Sequence, residues 1–235
     1  MYPVTDIVLR SYRGDFGWLG YALSTLHARS SGFRQIHVVV PEGDKHLLAH
    51  LTAELVYECP IYVDDYLGQQ ITKLLADTYS DADYIMHWDS DTLLTAELTP
   101  LDLIIEGRPI IYYEPYDKVG REPWQPIVSE VLGWVPEHEF MRRHPFVYPR
   151  WLYTELRNFL EERHGQSLES YIVGRPYRSF SEFNVLGAYA WEKHRDKFTW
   201  LDPFSGPVYV RQFRSWDGLG AHEAEIQTLL PHETI

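Results

Sequence analysis

Short apolar runs alternate along this chain with amphipathic stretches. Val4–Arg10 carries Ile7, Val8 and Leu9 at its centre and predicts a first strand. Leu19, Leu23 and Leu26 recur at helical spacing and predict a helix over Trp18–Arg29. Gln35–Val40 reads as a second strand closed by Pro41, Asp44–Leu55 as a second helix, Ile61–Val63 as a short strand and Gln69–Tyr79 as a third helix. Tyr84-Ile85-Met86-His87-Trp88 is too short for a good helix, stops at Asp89, and predicts a strand buried on both faces. Further on, Pro109–Tyr113 reads as a strand, Glu114–Pro126 as a loop, Ile127–Trp134 as a helix and His138–Pro149 as irregular. A clear amphipathic helix opens at Pro149-Arg150-Trp151 and runs to about His164, where Gly165 ends it. Ser167–Tyr171 reads as a short helix, another helix starts near Ser181, and Phe198–Leu201 and Val208–Arg211 read as late strands. This alternation predicts an α/β fold with a central, mostly parallel sheet flanked by helices.

The 235 residues suffice for one large domain, and no glycine- or serine-rich linker divides them. A net charge of -13 argues against a general nucleic-acid binder. It does not argue against a phosphate ligand, because a bound metal reverses the local field. Cys59 is the only cysteine, so an intrachain disulfide is excluded and a reducing compartment fits. The N-terminus shows no basic region followed by an apolar segment, and no apolar run is long enough to span a bilayer. The expectation is a cytoplasmic protein with no transmembrane segment. Eight Trp and 17 Tyr are many for this length, and most are expected to pack the core.

Candidate chemistry gathers where the fourth expected strand ends. Asp89-Ser90-Asp91 follows it directly, and in open α/β sheets ligands bind at that edge. Two carboxylates one residue apart can share a hard divalent cation such as Mn²⁺ or Mg²⁺, or simply end the strand in a solvated turn. Ser11, Tyr12 and Asp15 follow the first strand and would reach the same edge, with Asp15 equally suited to capping the next helix. Lys73, with Gln70 beside it on the third helix, could offer a positive charge to a diphosphate or stay solvated. Glu182 sits in the first turn of the helix near Ser181. It suits either the helix dipole or general-base work in a pocket. The two glycines of Trp216-Asp217-Gly218-Leu219-Gly220-Ala221-His222 could fold His222 back onto a metal or leave it on the surface.

Taken as an ordered set, Gln69-Gln70-Ile71-Thr72-Lys73-Leu74, then Asp83 to Thr92 with its Asp89-Ser90-Asp91, then Ser181-Glu182-Phe183, resembles the GT-A fold glycosyltransferases. The likeness runs loosely from the first strand to about Trp191. It implies a single GT-A-like domain, with about 1–113 as the nucleotide-sugar and metal half and about 114–235 as the acceptor half. It implies that Asp91 ligates the metal bridging a donor diphosphate, and that Asp89 binds that metal or the donor's ribose. Ser11, Tyr12, Asp15 and Ser90 would lie around the nucleotide, with Gln70 and Lys73 nearby. His222 matches by position a late histidine that completes the metal site. Glu182 would be the base of an inverting transfer. The implied partners are a nucleotide-sugar, with UDP-sugars favoured, and a glycan-like acceptor hydroxyl. Glu114–Pro126 and Arg142–Trp151 are the candidate acceptor walls.

Other classes compete. A phosphoryl-transfer enzyme of the haloacid-dehalogenase type also places Asp-x-Asp after a strand, but puts Gly then Thr next, whereas Thr92 follows Asp91 directly. A nucleotidyltransferase shares the metal and the sheet. A carbohydrate-binding module would use the aromatics and need neither the Asp pair nor Glu182.

Overall fold

The computed structural model describes residues 2–120 and 124–231. In chain order it begins with β1 (Thr5–Arg10), α1 (Phe16–Arg29), β2 (Ile36–Pro41), β3 (Leu55–Cys59), α2 (Asp65–Leu74) and β4 (Tyr84–Asp89). There follow β5 (Thr92–Leu94), α3 (Pro100–Leu103), β6 (Ile104–Ile105), β7 (Arg108–Tyr112), β8 (Glu114–Pro115) and α4 (Gln125–Leu132). The rest comprises β9 (His138–Glu139), β10 (Phe146–Pro149), α5 (Arg150–His164), α6 (Leu168–Val173), α7 (Glu182–His194), β11 (Thr199–Leu201), β12 (Val210–Gln212) and α8 (Glu223–Leu229).

The main sheet has the order β10-β4-β1-β2-β3, so the expected α/β architecture with a mostly parallel central sheet is present. β1, β2, β3 and β4 run parallel, and β10 runs antiparallel to β4. The chain builds outward from β1 to β3 and then returns to the other side of β1 for β4. The strand order therefore reverses between β1 and β4, the switch point at which open sheets leave a crevice. Arg10 and Asp89, the last residues of these strands, are register partners, so both following loops leave the sheet at one level.

Strand alternation decides which way each residue faces. Ile7, Leu9, Val38, Val40, Met86 and Trp88 pack on the α1 side. Val8, Val39, Ile85, Phe146 and Tyr148 join the larger cluster on the side of α2, α5 and α7. His87 shares the parity of Ile85 and meets Phe183 of α7 edge-on. Asp89 continues that parity and so faces α2 and α7.

Four expectations are corrected. The stretch Asp44–Leu55 is not a helix. It makes one 3₁₀ turn at Lys45–Leu48 and then enters β3, where Val56 pairs with Val38. Leu48 is buried and Leu51 packs beside it, but Leu47 and Leu55 are exposed, so the stretch has too little apolar face to hold a full helix. Ile61 and Val63 are solvent-exposed and form no strand, because Cys59 ends β3 and Pro60 lacks the N–H to continue it. The third helix starts four residues early. Asp64 caps it by accepting from the Tyr66 and Leu67 amides, and the α-helix stops at Leu74. The supposedly irregular stretch 138–149 contains β9 and β10, the latter an edge strand beside β4. Within the expected loop 114–126, residues 121–123 lie outside the described residues.

α7 lies tight against Phe140, which is 1% exposed. A Cβ on Gly187 would come 2.3 Å from Phe140 Cβ and 2.4 Å from its Cγ. Alanine is the better helix former by about 1 kcal/mol. Those atoms belong to the rigid root of a buried ring, so the clash dominates. Gly187→Ala is expected to lower stability by about 1–3 kcal/mol, read as a lower urea midpoint at unchanged slope.

Candidate functional site

Two adjoining chambers open at the C-terminal edge of β1 and β4. The first, of about 570 Å³, is lined by Ser11, Tyr12, Asp15, Asp89, Ser90 and Asp91, together with residues from α2 and from the segment after β12. The second, of about 430 Å³, is lined by Lys73, Glu182, Arg142, Arg143, His144 and Phe146, among others. Asp89, Met141 and Gln212 line both, so Asp89 stands at the junction.

The turn carrying the carboxylates is held from two sides. Trp88 Nε1 donates to the Thr92 carbonyl at 2.7 Å, which closes the β4–β5 turn over Ser90 and Asp91. β12 pairs antiparallel with β5, and the Phe213 amide donates to the Asp91 carbonyl at 2.8 Å. The Ser215 amide reaches Asp91 Oδ2 at 3.3 Å. Burial, reinforced by the Asp89 and Asp15 carboxylates, pushes the Asp91 carboxyl up to about 7. Burial likewise raises Asp15. Asp15 occupies the position before α1 but does not cap it. Its Oδ2 lies 3.5 Å from Ser90 Oγ instead, so the capping alternative is not what the fold uses. Ser11 is 1% exposed, and its Oγ has no hydrogen-bond partner among the described residues. The Tyr12 ring lies over Gly14, where a Cβ would come 2.5 Å from Tyr12 Cε2.

Behind the junction the chain buries a cation between two carboxylates. Lys73 Nζ lies 2.8 Å from Asp89 Oδ1 and 3.0 Å from Glu182 Oε1. Burial alone would lower Lys73, but the two carboxylates overcome it and hold it above its usual range. His144 Nε2 stands 3.4 Å from Asp89 Oδ2. Burial opposes the Asp89 charge as well; Lys73 and His144 outweigh it, and Asp89 falls to about 2. Gln70, one turn before Lys73, accepts from the Glu182 amide at 3.1 Å. α2 therefore positions both the first turn and the side chain of Glu182.

This corrects two site expectations. Gln70 lines neither chamber, because its side chain is spent on the start of α7. Lys73 is not offered to the first chamber, because its charge is shared between Asp89 and Glu182. His222 is also displaced. Its ring packs against Trp18 and Phe213, with centroids 5.9 and 5.2 Å apart, and Nε2 is 3.7 Å from Asp217 Oδ2. The 3₁₀ turns around Gly218 and Gly220 seat it in the small cluster under α8 rather than in either chamber. Asp89, Ser90 and Asp91, with Ser11, Tyr12 and Asp15, do come together, and Glu182 opens into the second chamber.

Some lining residues carried no readable signal. Arg10 lines the first chamber and pairs with Asp65 at the start of α2. Tyr66, Tyr177, Arg178 and Trp216 complete its walls. Arg10 directly precedes Ser11 and could have been found by extending the strand-edge argument one residue back. Nothing local marks Tyr177 or Arg178. The candidate wall at Arg142 is rigid, tied to Glu114 at 2.6 Å and Glu139 at 3.1 Å. Arg143 donates to the Pro203, Ser205 and Pro207 carbonyls and so fixes the far wall.

His87, just behind the junction, is fully enclosed, with Nε2 2.6 Å from Tyr153 Oη. Burial, and then Lys73, hold it down to about 3. An unfolded histidine takes its proton near pH 6.5, so between there and about 3 the unfolded chain binds more protons. Stability therefore falls as pH drops through that window, by about 1.4 kcal/mol per pH unit from this residue. His87→Gln keeps an acceptor for Tyr153. It is expected to flatten the decline in melting temperature between pH 6.5 and 5.

Among the described residues no helix is long and apolar enough to cross a membrane. Among curated proteins nothing matches the chain. Residues 22–202, from within α1 to just past β11, match a family of unknown function, DUF6492. That span includes Asp89, Asp91, Lys73 and Glu182, and leaves out Ser11, Tyr12, Asp15 and His222. It takes in more than half of the sequence and every strand of the main sheet except β1, and on it the chain belongs to the DUF6492 family.

Proposed function

We propose that this protein is a GT-A-like glycosyltransferase that moves a sugar from a nucleoside-diphosphate sugar to an acceptor hydroxyl with inversion, using Mn²⁺ or Mg²⁺. The observation that carries the reading is the pair of chambers meeting at Asp89, with Asp91 in one and Glu182 in the other. In such a transfer the sugar's anomeric carbon lies between the departing diphosphate and the incoming hydroxyl. A carboxylate on each side of a shared junction suits that arrangement.

The first chamber fits a hard cation. Asp15, Asp89 and Asp91 supply oxygen donors only, and burial, with the neighbouring carboxylates adding to it, raises Asp91 to about 7, a cost that a divalent ion would relieve. Among the described residues no three His, Cys, Asp or Glu side chains form a ready-made cage. The ion would therefore be held chiefly by Asp91 and complete its shell with diphosphate oxygens and water. Both Asp89 oxygens already face Lys73 and His144, so Asp89 acts by orienting the junction. A bound Mn²⁺ or Mg²⁺ supplies Lewis-acid neutralisation of the leaving diphosphate. Tyr12 offers a ring face to the nucleotide base, and Ser11 Oγ offers an uncommitted hydroxyl. Glu182 takes the proton from the acceptor hydroxyl, while Lys73 and Gln70 hold it in place.

The test supplies a panel of UDP-, GDP- and dTDP-sugars with Mn²⁺ and follows release of the nucleotide. Nucleoside diphosphate release that EDTA abolishes is the expected result. Pyrophosphate release from nucleoside triphosphates would favour a nucleotidyltransferase. Sugar binding indifferent to chelator and to nucleotide would favour a carbohydrate-binding module.

A further inference from the structure

We infer that Arg178 is a binding residue for the diphosphate of the nucleotide, a contact that rests on the donor site proposed above. Arg178 lines the first chamber, is exposed, and has no salt-bridge or hydrogen-bond partner among the described residues. The chamber's walls carry the carboxylates of Asp15, Asp65, Asp89 and Asp91. Its other lining cation, Arg10, is buried and paired with Asp65. Arg178 is thus the unneutralised positive charge on a wall that otherwise repels an anion.

The backbone supplies an independent observation. Arg178 has φ +58°, a left-handed conformation that a side chain with a Cβ adopts at a cost and glycine adopts freely. Glu106 shares this feature at φ +51°, but it sits beside Gly107 in the tight connection between β6 and β7, where a hairpin turn demands it. Arg178 sits in a turn closed by the Ser179 amide donating to the Pro176 carbonyl at 3.1 Å. Arg175 Nε ties that turn down by donating to the Ser179 carbonyl at 2.7 Å, and itself pairs with Glu130. The turn is over-determined by its neighbours and so can hold a strained residue at its corner. An arginine standing where glycine would be at ease, lining a cleft and without a partner among the described residues, is placed for a ligand. Its planar fork matches two oxygens of a phosphate group.

The experiment uses the whole chain with Mn²⁺ and calorimetric titration of UDP, GDP and dTDP. The tightest diphosphate is then compared with its monophosphate and its nucleoside on wild type, Arg178→Gly and Arg178→Lys. Arg178→Gly is expected to weaken the diphosphate by about 10- to 100-fold, while the nucleoside changes by less than about twofold. Arg178→Lys should fall between, because it keeps the charge and loses the fork. The melting temperature of the unliganded Arg178→Gly protein should equal or exceed wild type, since glycine relieves the strain. A purely structural arginine would lower it. Diphosphate affinity unchanged in Arg178→Gly, nucleoside binding lost equally with the diphosphate, or a clearly lower melting temperature would each overturn the assignment. If wild type binds no nucleoside diphosphate with Mn²⁺, the donor-site reading itself fails. The Arg178 arm alone fails when wild type binds and the variant does too.

Discussion

Glu182→Gln is expected to lower turnover by about 10²–10⁴-fold, the usual worth of a positioned general base, while nucleotide binding stays near wild type. Glutamine keeps the length and shape of the side chain. Its carbonyl can still accept from Lys73 Nζ, which retains Asp89 at 2.8 Å as its charged partner. The bond from the residue 182 amide to Gln70 Oε1 is untouched, since on residue 182 it uses only the backbone N–H. The variant should therefore fold like wild type, and its loss should appear in kcat at saturating nucleotide-sugar rather than in donor affinity. Asp217, the other carboxylate that the sequence offers for this role, is a suitable control. It lines neither chamber and faces His222, so Asp217→Asn should leave turnover unchanged. Full turnover in Glu182→Gln would remove the base assignment. So would a product that keeps the donor's anomeric configuration by NMR.

Asp91→Asn should abolish the difference that Mn²⁺ makes to nucleoside diphosphate affinity. Partners that merely orient a metal ligand are commonly worth 10- to 100-fold in metal affinity. Loss of the principal ligand is expected to cost about 100-fold or more on that scale. Calorimetry of the diphosphate with Mn²⁺ and with EDTA, on wild type and variant, reads this directly. Asparagine can still accept from the Ser215 amide, and it removes one of three crowded carboxylates. The unliganded variant should therefore melt at or above wild type, whereas Mn²⁺ with diphosphate should stabilise wild type alone. At a ligand concentration 100-fold above Kd that stabilisation is about 2.7 kcal/mol. Wild-type affinity that ignores the metal would end the metal assignment, whatever the variant does.

Much of the framework was legible in the residues. The run from Tyr84 to Trp88 could be read as a buried strand because strands follow local alternation and stop at polar punctuation. Once that strand was placed, the parallel order of the early strands put Ser11, Asp15, Asp89 and Asp91 at one edge. Helices with a continuous apolar face, such as α1 and α5, were found with small boundary errors. The failures share a cause. At Asp44–Leu55 the leucines repeat like a helix, yet β2 has an open edge there, and the chain reaches it at Leu55, the first residue of β3, instead of completing a helix. β10 was missed because four residues hold too little pattern. It is a strand only because β4 lies beside it.

The chemistry of the site divides along the same line. By itself the sequence determined which side chains could do chemistry and at which strand end most of them would emerge, because these follow from residue type and periodicity. Only the tertiary structure decided their state. Lys73 reads locally as a solvated helical lysine and becomes a buried cation because Glu182, 109 positions away, and Asp89 converge on it. Gln70 leaves the cleft because it is the partner of the Glu182 amide, and His222 is drawn under α8 by Trp18 and Phe213. Burial and electrostatic pairing are sums over neighbours distant in sequence, and folding is what chooses those neighbours.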